Sequence, residues 1–213
     1  MGTDDLKTES PTTPIVFVVD DDISVRESLD SLIRCTGWRS ATFASAQEFL
    51  AYRPVLCPSC LVLDMSLPDL NGLELQRRLA GRVDMPIIFI TGCVDIPMTV
   101  QAMKAGAIEF FTKPFNGDVL LNAMRNAIEC SRGILGHEAE TRAIRSGYAS
   151  LSRRERQVMA LVASGLLNKQ VGGELGISEM TVKAHRGKVM RKMKADSLAD
   201  LVKMAGRLEL AAA

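Results

Sequence analysis

Three consecutive acidic residues, Asp20-Asp21-Asp22, a separate Asp64 and Lys113 each follow a short, mostly apolar run, at residues 15–19, 61–63 and 109–112. Runs of that length read as strands, and groups just past the ends of parallel strands share one edge of a sheet. In an open parallel sheet that edge is where ligands bind. Carboxylates gathered there repel one another unless a cation lies among them, and hard oxygen donors with room for water and phosphate oxygens suit Mg²⁺. One carboxylate is then free to act as a nucleophile toward phosphorus.

A second kind of chemistry is concentrated further on. Residues 151–194 hold ten basic side chains against three acidic ones, too unequal for a helix face that is merely solvated. The whole chain of 213 residues has a net charge of only +1, which conceals a split: residues 1–147 carry fourteen basic and nineteen acidic side chains, residues 148–213 twelve and six. The two halves expect different partners.

The elements that must position these groups follow from periodicity. Strand-length runs at 15–19, 39–43, 60–63, 87–91 and 109–112 alternate with helical patterns such as Val25, Leu29, Leu32 and Ile33. Repeated βα units predict a parallel sheet covered on both faces. Ser24 to Glu27 and Ser45 to Glu48 read as capping boxes, and Pro97 and Pro114 mark a helix start and a turn. Residues 116–132 read as a last helix of this unit. Gly133, Gly136 and Gly147 among charges predict a hinge over 133–147, with room for partial helix.

From residue 148 the pattern is helical throughout. Ser152 to Glu155 is a capping box ahead of Val158, Leu161 and Val162; Gly165 closes that helix; residues 168–175 form a short helix; Gly176 makes a tight turn; and Ser178 caps a third helix reaching about Lys194. A fourth, over 198–208, carries Leu198, Leu201, Val202 and Ala205 on one face. Helix, short turn and a basic helix is the helix-turn-helix arrangement.

The segments VVDDD (18–22), LVLDMSLPDLNG (61–72), IIFITG (87–92), DIPMTVQAMKAGA (95–107) and FFTKPF (110–115) resemble the receiver domain of two-component response regulators. LSRRERQVMALVASG (151–165), NKQVGGELGIS (168–178) and TVKAHRGKVMRKM (181–193) resemble the LuxR-type helix-turn-helix domain. Together the chain looks like a response regulator of the FixJ/NarL type, nearest the FixJ branch.

The resemblance implies a doubly wound, five-stranded α/β receiver of the flavodoxin-like kind at 14–132. A linker at 133–147 and an all-α four-helix DNA-binding domain at 148–213 follow, and residues 1–13 are expected to be a disordered tail. It implies that Asp64 is the phosphoacceptor and that Asp20, Asp21, Asp64 and the backbone carbonyl of Ser66 make the Mg²⁺ site. Lys113 then pairs with the phosphoryl group, and Thr91 and Phe110 occupy the hydroxyl and aromatic switch positions. Phe110 has no hydroxyl, so burial must drive its position. Val100 and Lys104 fall on the helix that forms an activated dimer contact in such receivers. Implied partners are a sensor histidine kinase, double-stranded promoter DNA, a second copy on phosphorylation and RNA polymerase. An enzyme turning over an external substrate is not expected.

Along the third helix of the second half, Val182, Val189 and Met193 are expected inward and Lys183, Arg186, Gly187 and Met190 outward. N-terminal positions of a recognition helix lie nearest base edges, which points to Thr181, Lys183, Ala184 and Gly187, with Lys183 the main base reader. Lys169, Arg186, Lys188 and Arg191 are expected at phosphates. His185 reads equally as a structural histidine or a phosphate contact. Gly172-Gly173 inside the second helix costs roughly 0.5–1 kcal/mol per glycine relative to alanine, so either the helices cross closely there or the helix is soft.

Cys57-Pro-Ser-Cys60 has the spacing of a metal or redox pair, and Cys93 stands beside Thr91; a redox- or metal-responsive transcription factor using these thiols is the competing reading. No second CxxC pair accompanies the first. No apolar run approaches the roughly 20 residues of a membrane span, and the polar, acidic N-terminus is unlike a signal peptide. A cytoplasmic protein without membrane contact is the expectation.

Overall fold

The computed structural model describes residues 13–53, 56–93 and 95–208. These form two compact units that part between Gly136 and His137. Nearly all of the expected N-terminal tail lies outside the described residues.

In the first unit, β1 (Ile15–Val19), β2 (Arg39–Phe43), β3 (Ser59–Asp64), β4 (Ile87–Thr91) and β5 (Glu109–Thr112) form one parallel sheet in the order β2-β1-β3-β4-β5. This is the doubly wound order with its switch point between β1 and β3, where strand order reverses and a crevice opens at the carboxyl ends. Register puts Val19 beside Leu63, and Asp64 beside Ile90. The residues after β1 and at the end of β3 therefore meet. Alternation along β1 sends Ile15, Phe17 and Val19 to one core and Val16 and Val18 to the other. α1 (Ile23–Arg34) and the first half of α5 (Gly117–Ala149) cover the second of these faces through Leu29, Ile33, Leu120 and Met124. α2 (Ala46–Ala51), α3 (Gly72–Arg78) and α4 (Ile96–Lys104) cover the other through Phe49, Leu75 and Ala102.

Two local expectations are corrected. Helix α1 is capped by Asp22, whose carboxylate accepts the Ser24 N–H at 2.8 Å, so Ser24 lies inside the helix and no capping box runs from Ser24 to Glu27. Asp22, nearest the turn and free of the cation site, takes the cap first. Helix α5 does not end near Arg132 but continues to Ala149, so the 133–147 stretch, read as a connection with room for partial helix, is helical over its whole length. Gly133 and Gly136 lie on open surface with no heavy atom near an added Cβ. Their cost of about 1 kcal/mol each is outweighed by good helix formers on both sides.

The second unit packs α6 (Arg153–Ala163), α7 (Asn168–Leu175), α8 (Glu179–Met193) and α9 (Leu198–Arg207) around Val158, Val162, Val171, Val182, Val189, Met193 and Leu201. Ile144 at the end of α5 and Leu151 belong to the same core. Gly176 sits in the left-handed region, φ 63°, and closes α7 as a C-cap. On α9 only Leu201 and Ala205 are buried; Leu198 and Val202 of the expected apolar face remain exposed, because α9 is a peripheral helix with a core on one side only.

Candidate functional site

At the carboxyl edge of the sheet, Lys113 Nζ lies 2.6 Å from Asp20 Oδ2 and 2.6 Å from Asp64 Oδ2. Asp20 is fully buried and Asp64 nearly so, while Asp21 is exposed. Donor oxygens of Asp20, Asp21 and Asp64 all lie within 4.8 Å of one another. A buried carboxylate pair at that separation requires a cation, and Lys113 fills that need from the start of the turn after β5. Burial pushes the Asp20 carboxyl above its ordinary range, against the opposing pull of the Lys113 contact. Lys113 is in turn held above the usual lysine value by Asp20 and Asp64, which outweigh its own partial burial. The three oxygen-only side chains form a hard, anionic donor set that fits a small divalent ion.

Local folding places each group. The Asp22 N–H donates to Asp20 Oδ1 at 2.9 Å and the Ser66 N–H to Asp64 Oδ1 at 2.9 Å, so both turns fold back on their own carboxylates. The turn after β3 closes on Gly72, whose N–H donates to Met65 O at 3.1 Å. A Cβ on Gly72 would lie 2.8 Å from Asp64 O and 3.0 Å from Phe89 Cε1, so only glycine allows this approach behind Asp64. Asp69, from the same turn, accepts the Ala46 and Gln47 N–H groups at 3.3 and 2.9 Å and ties the turn to the start of α2.

Thr91 ends β4 almost wholly buried. Its hydroxyl donates to the Cys93 carbonyl at 3.0 Å and accepts the Cys93 N–H at 3.3 Å, a closed loop on its own turn. Phe110 is half-buried against the core under α2, α3 and α4. The Lys113-Pro114 peptide is cis. Val100 and Lys104 are exposed on α4, beside exposed Ile96 and Met103. Arg26, Gly72 and Asp69 were not singled out by sequence reasoning. A cation in the first turn of α1 was the visible signal for Arg26, whose Nη1 donates to Asp20 O at 2.7 Å and Asp21 O at 2.9 Å.

The cysteines do not form a centre. Cys57 and Cys60 are buried free thiols; burial pushes Cys60 up to about 12 and raises Cys57 as well, so neither offers a thiolate near neutral pH. Among the described residues, the Asp20, Asp21 and Asp64 group is the one cluster with metal-binding geometry.

In the second unit, α8 turns Val182, Val189 and Met193 into the core, as expected. Thr181, Lys183, Ala184, Gly187, Lys188 and Arg191 are exposed along it, and Lys169 is exposed on α7. Met190, expected outward, packs against the core because α8 lies close to its neighbours along that edge. Arg186 is half-buried, donating to Asn168 Oδ1 at 3.3 Å. Lys183 pairs with Glu179 at 3.1 Å, an exposed contact of the kind worth at most about 1 kcal/mol. Lys192 is committed elsewhere: it donates to Glu155 Oε2 at 2.7 Å and Ser150 O at 3.0 Å. His185 is half-buried, and its Nδ1 has no hydrogen-bond partner among the described residues.

The paired glycines separate. A Cβ on Gly172 would lie 2.8 Å from Ile177 O, so this glycine lets α7 pack under the turn that leads into α8. Gly173 faces open space and serves no packing purpose.

Comparison with known proteins matches the same two regions. Residues 16–125 match the response regulator receiver domain, and residues 149–205 match the LuxR family of bacterial regulatory proteins. Nodulation protein W of Bradyrhizobium diazoefficiens is 50% identical over 96% of this chain and 91% of its own length. Response regulator protein TodT of Pseudomonas putida is 43% identical, over 96% and 90%. Transcriptional regulatory protein FixJ of Rhizobium meliloti is 42% identical, over 89% and 94%. Among solved structures, that of the response regulator StyR superposes with a TM-score of 0.84 at 46% identity, covering 92% of this chain and all of that one. No helix among the described residues is long and apolar enough to cross a membrane. The acidic sheet edge, the helix-turn-helix unit and relatives matched along nearly their whole length place this chain among the two-component transcriptional response regulators, FixJ/NarL type, with a receiver and a LuxR-type DNA-binding domain.

Proposed function

We propose that Asp64 accepts a phosphoryl group from a sensor histidine kinase and that this modification controls binding of the second domain to promoter DNA. The observation that carries the assignment is Lys113, 2.6 Å from both Asp20 and Asp64 at the mouth of the sheet. In the transfer a P–N bond to the kinase histidine breaks and a P–O bond to an Asp64 carboxylate oxygen forms. Receivers bind Mg²⁺ at this acidic pocket, and here Asp20, Asp21, Asp64 and the Ser66 carbonyl would hold it. The ion supplies positive charge against the oxygens of a loose phosphoryl transition state. Lys113 supplies a second charge by following the phosphoryl oxygens as they arrive.

Thr91 reads the result. To donate to a phosphoryl oxygen its hydroxyl must leave the Cys93 carbonyl, which opens the loop that now holds the turn after β4. The vacated space lets half-buried Phe110 turn inward, a packing change driven by a covalent charge. α4 is the neighbouring element, and exposed Val100 and Lys104 serve as the contact of an activated homodimer. Residues 14–132 act as the receiver, 133–147 as the connection and 148–213 as the DNA-binding domain. Thr181, Lys183, Ala184 and Gly187 face base edges, and Lys169, Arg186, Lys188 and Arg191 face phosphates. The protein works in the cytoplasm and acts on RNA polymerase at its promoters; it is modified once per cycle and turns over no external substrate.

The test is incubation of the full chain with a small phosphodonor and Mg²⁺, followed by intact-mass measurement and DNA titration. One added phosphoryl group and a gain in DNA affinity are expected, with both lost in Asp64→Asn, whose amide cannot attack phosphorus. Labelling of Asp64→Asn at undiminished yield would place the acceptor elsewhere.

A further inference from the structure

Every oxygen of Asp20 is engaged. Oδ1 accepts the Asp22 N–H, Oδ2 accepts Lys113 Nζ, and the carbonyl accepts Arg26 Nη1 at 2.7 Å. The same nitrogen of Arg26 donates to the Asp21 carbonyl at 2.9 Å, so one half-buried guanidinium holds the backbone of both acidic residues in the turn between β1 and α1. Taken by itself this is a poor place for a cation. Arg26 is the fourth residue of α1, near the positive end of the helix, where anions are favoured; no acidic side chain of the first turn offsets it. A local rule broken in this way is compensated elsewhere, and the two carbonyls are the compensation.

We propose that Arg26 is the positioning residue of the cation site. By fixing two successive peptide carbonyls it fixes the directions in which the Asp20 and Asp21 side chains leave the backbone. The effect is greatest for Asp21, whose exposed carboxylate has no hydrogen bond among the described residues. Asp20 is held from three sides; Asp21 depends on its backbone. The inference rests on the reading of Asp20, Asp21 and Asp64 as a divalent-cation site.

Charge and geometry predict opposite signs, which makes the role testable. A guanidinium acting only through its charge repels a divalent ion, so its removal would tighten binding. One that orients the ligands does the reverse, and loss of such supporting contacts typically weakens metal binding by about 10–100-fold. The full chain, with no phosphodonor present, is titrated with Mn²⁺ as the probe, and free Mn²⁺ is read by electron paramagnetic resonance. Arg26→Gln should weaken binding by roughly 10–100-fold. Arg26→Lys, which keeps the charge on a shorter stem, should recover part of the loss. Phosphorylation of Arg26→Gln by a small phosphodonor should then need more Mg²⁺ for half-maximal rate and approach the unmodified rate at saturation.

Equal or tighter Mn²⁺ binding by Arg26→Gln overturns the proposal. If that variant does not fold, Arg26→Lys decides: its charge is unchanged, so weaker binding is geometric and supports the role, while unchanged binding overturns it. Asp21→Asn serves as the control. Should the unmodified chain bind Mn²⁺ no better than Asp21→Asn, the cation site itself fails; should it bind well and Arg26→Gln match it, only the role of Arg26 fails.

Discussion

The acidic edge of the receiver and the basic face of α8 solve opposite problems with charge. At the sheet edge, two carboxylates and an ammonium are drawn into a space where water is scarce, each within 2.6 Å of its partner. On α7 and α8 the charges stand in solvent: Lys169 of α7 and Lys188 and Arg191 of α8 are exposed and form no ion pair among the described residues, and Lys183 holds only an exposed contact with Glu179. The first arrangement is over-determined, since removing one member leaves the others buried and uncompensated. The second is expected to be additive, because exposed cations that meet phosphates do so with little coupling to one another. Under the proposed function, buried charge in the first unit suits a switch and exposed charge in the second suits a graded grip.

Lys113→Ala should therefore have the largest effect. It removes a fixed positive charge from the transition state, a loss on the order of 10²–10³ in rate for comparable single donors. It also leaves Asp20 and Asp64 facing each other. The rate of phosphoryl incorporation, followed by intact mass at saturating Mg²⁺, measures it. A change of only a few-fold would mean that Lys113 serves mainly to hold the resting site together, and the contrast drawn above would weaken.

The second unit contains one buried pair of its own, and it tests whether burial or location matters. Glu155 is nearly inaccessible and accepts Lys192 Nζ at 2.7 Å and the Ser152 N–H at 2.8 Å. Those contacts, Lys192 first, hold its carboxyl down to about 2, against an ordinary value of 4.5. Because the folded value lies below the unfolded one, the contribution to stability is complete above about pH 4.5 and is lost as the pH falls from there toward about 2. Glu155→Gln should remove that acid dependence and cost roughly 1.5–3 kcal/mol at neutral pH, the range for hydrogen bonds to charged groups. Amide exchange at Val158 and Val162 reports it without interference from the receiver. An unchanged acid profile in Glu155→Gln would show that the pair is loose in solution.

The same contrast explains what could be read from the sequence. Strands β1, β2, β4 and β5 and helix α7 match their expected bounds, because apolar periodicity and glycine punctuation mark their ends. β3 is longer by one residue at each end, Ser59 and Asp64, since both are polar yet buried and polarity alone does not mark them as strand. The acidic site was legible because carboxylates past strand ends have few other uses. Arg26 stood out only as a cation in the first turn of α1; its partners are backbone carbonyls, which carry no residue type. The commitment of Lys192 was not legible, since its partner Glu155 lies 37 positions away and reads locally as half of a capping box. Gly133 and Gly136 hid the end of α5 for a different reason: glycine permits a break without requiring one, and the helical preference of the flanking residues carries the helix to Ala149.

The smallest effects belong to α8, and they distinguish two kinds of exposed lysine. If Lys169, Arg186, Lys188 and Arg191 each meet a phosphate in both halves of a dimer, about eight contacts form. Log affinity should then fall with log salt at a slope of about −7, from roughly −0.9 per phosphate. Lys188→Ala should reduce the steepness by about two per dimer and weaken specific and random duplexes alike. Arg186 tests the limit of additivity, since its contact with Asn168 must be given up or shared before it reaches a phosphate, and its share of the slope should be smaller. Lys183 lies nearer the N-terminus of α8; if that end meets base edges, Lys183→Ala should cost specific binding about 1–3 kcal/mol per lost base contact and random binding much less. Its release of Glu179 offsets little, because that pair is exposed on both sides. Titrations of both variants on specific and random duplexes at several salt concentrations decide the matter. Equal losses on the two duplexes for Lys183→Ala would move that residue to the phosphate class, and α8 would then read sequence through the close approach allowed at Ala184 and Gly187, where an added Cβ at Gly187 meets nothing.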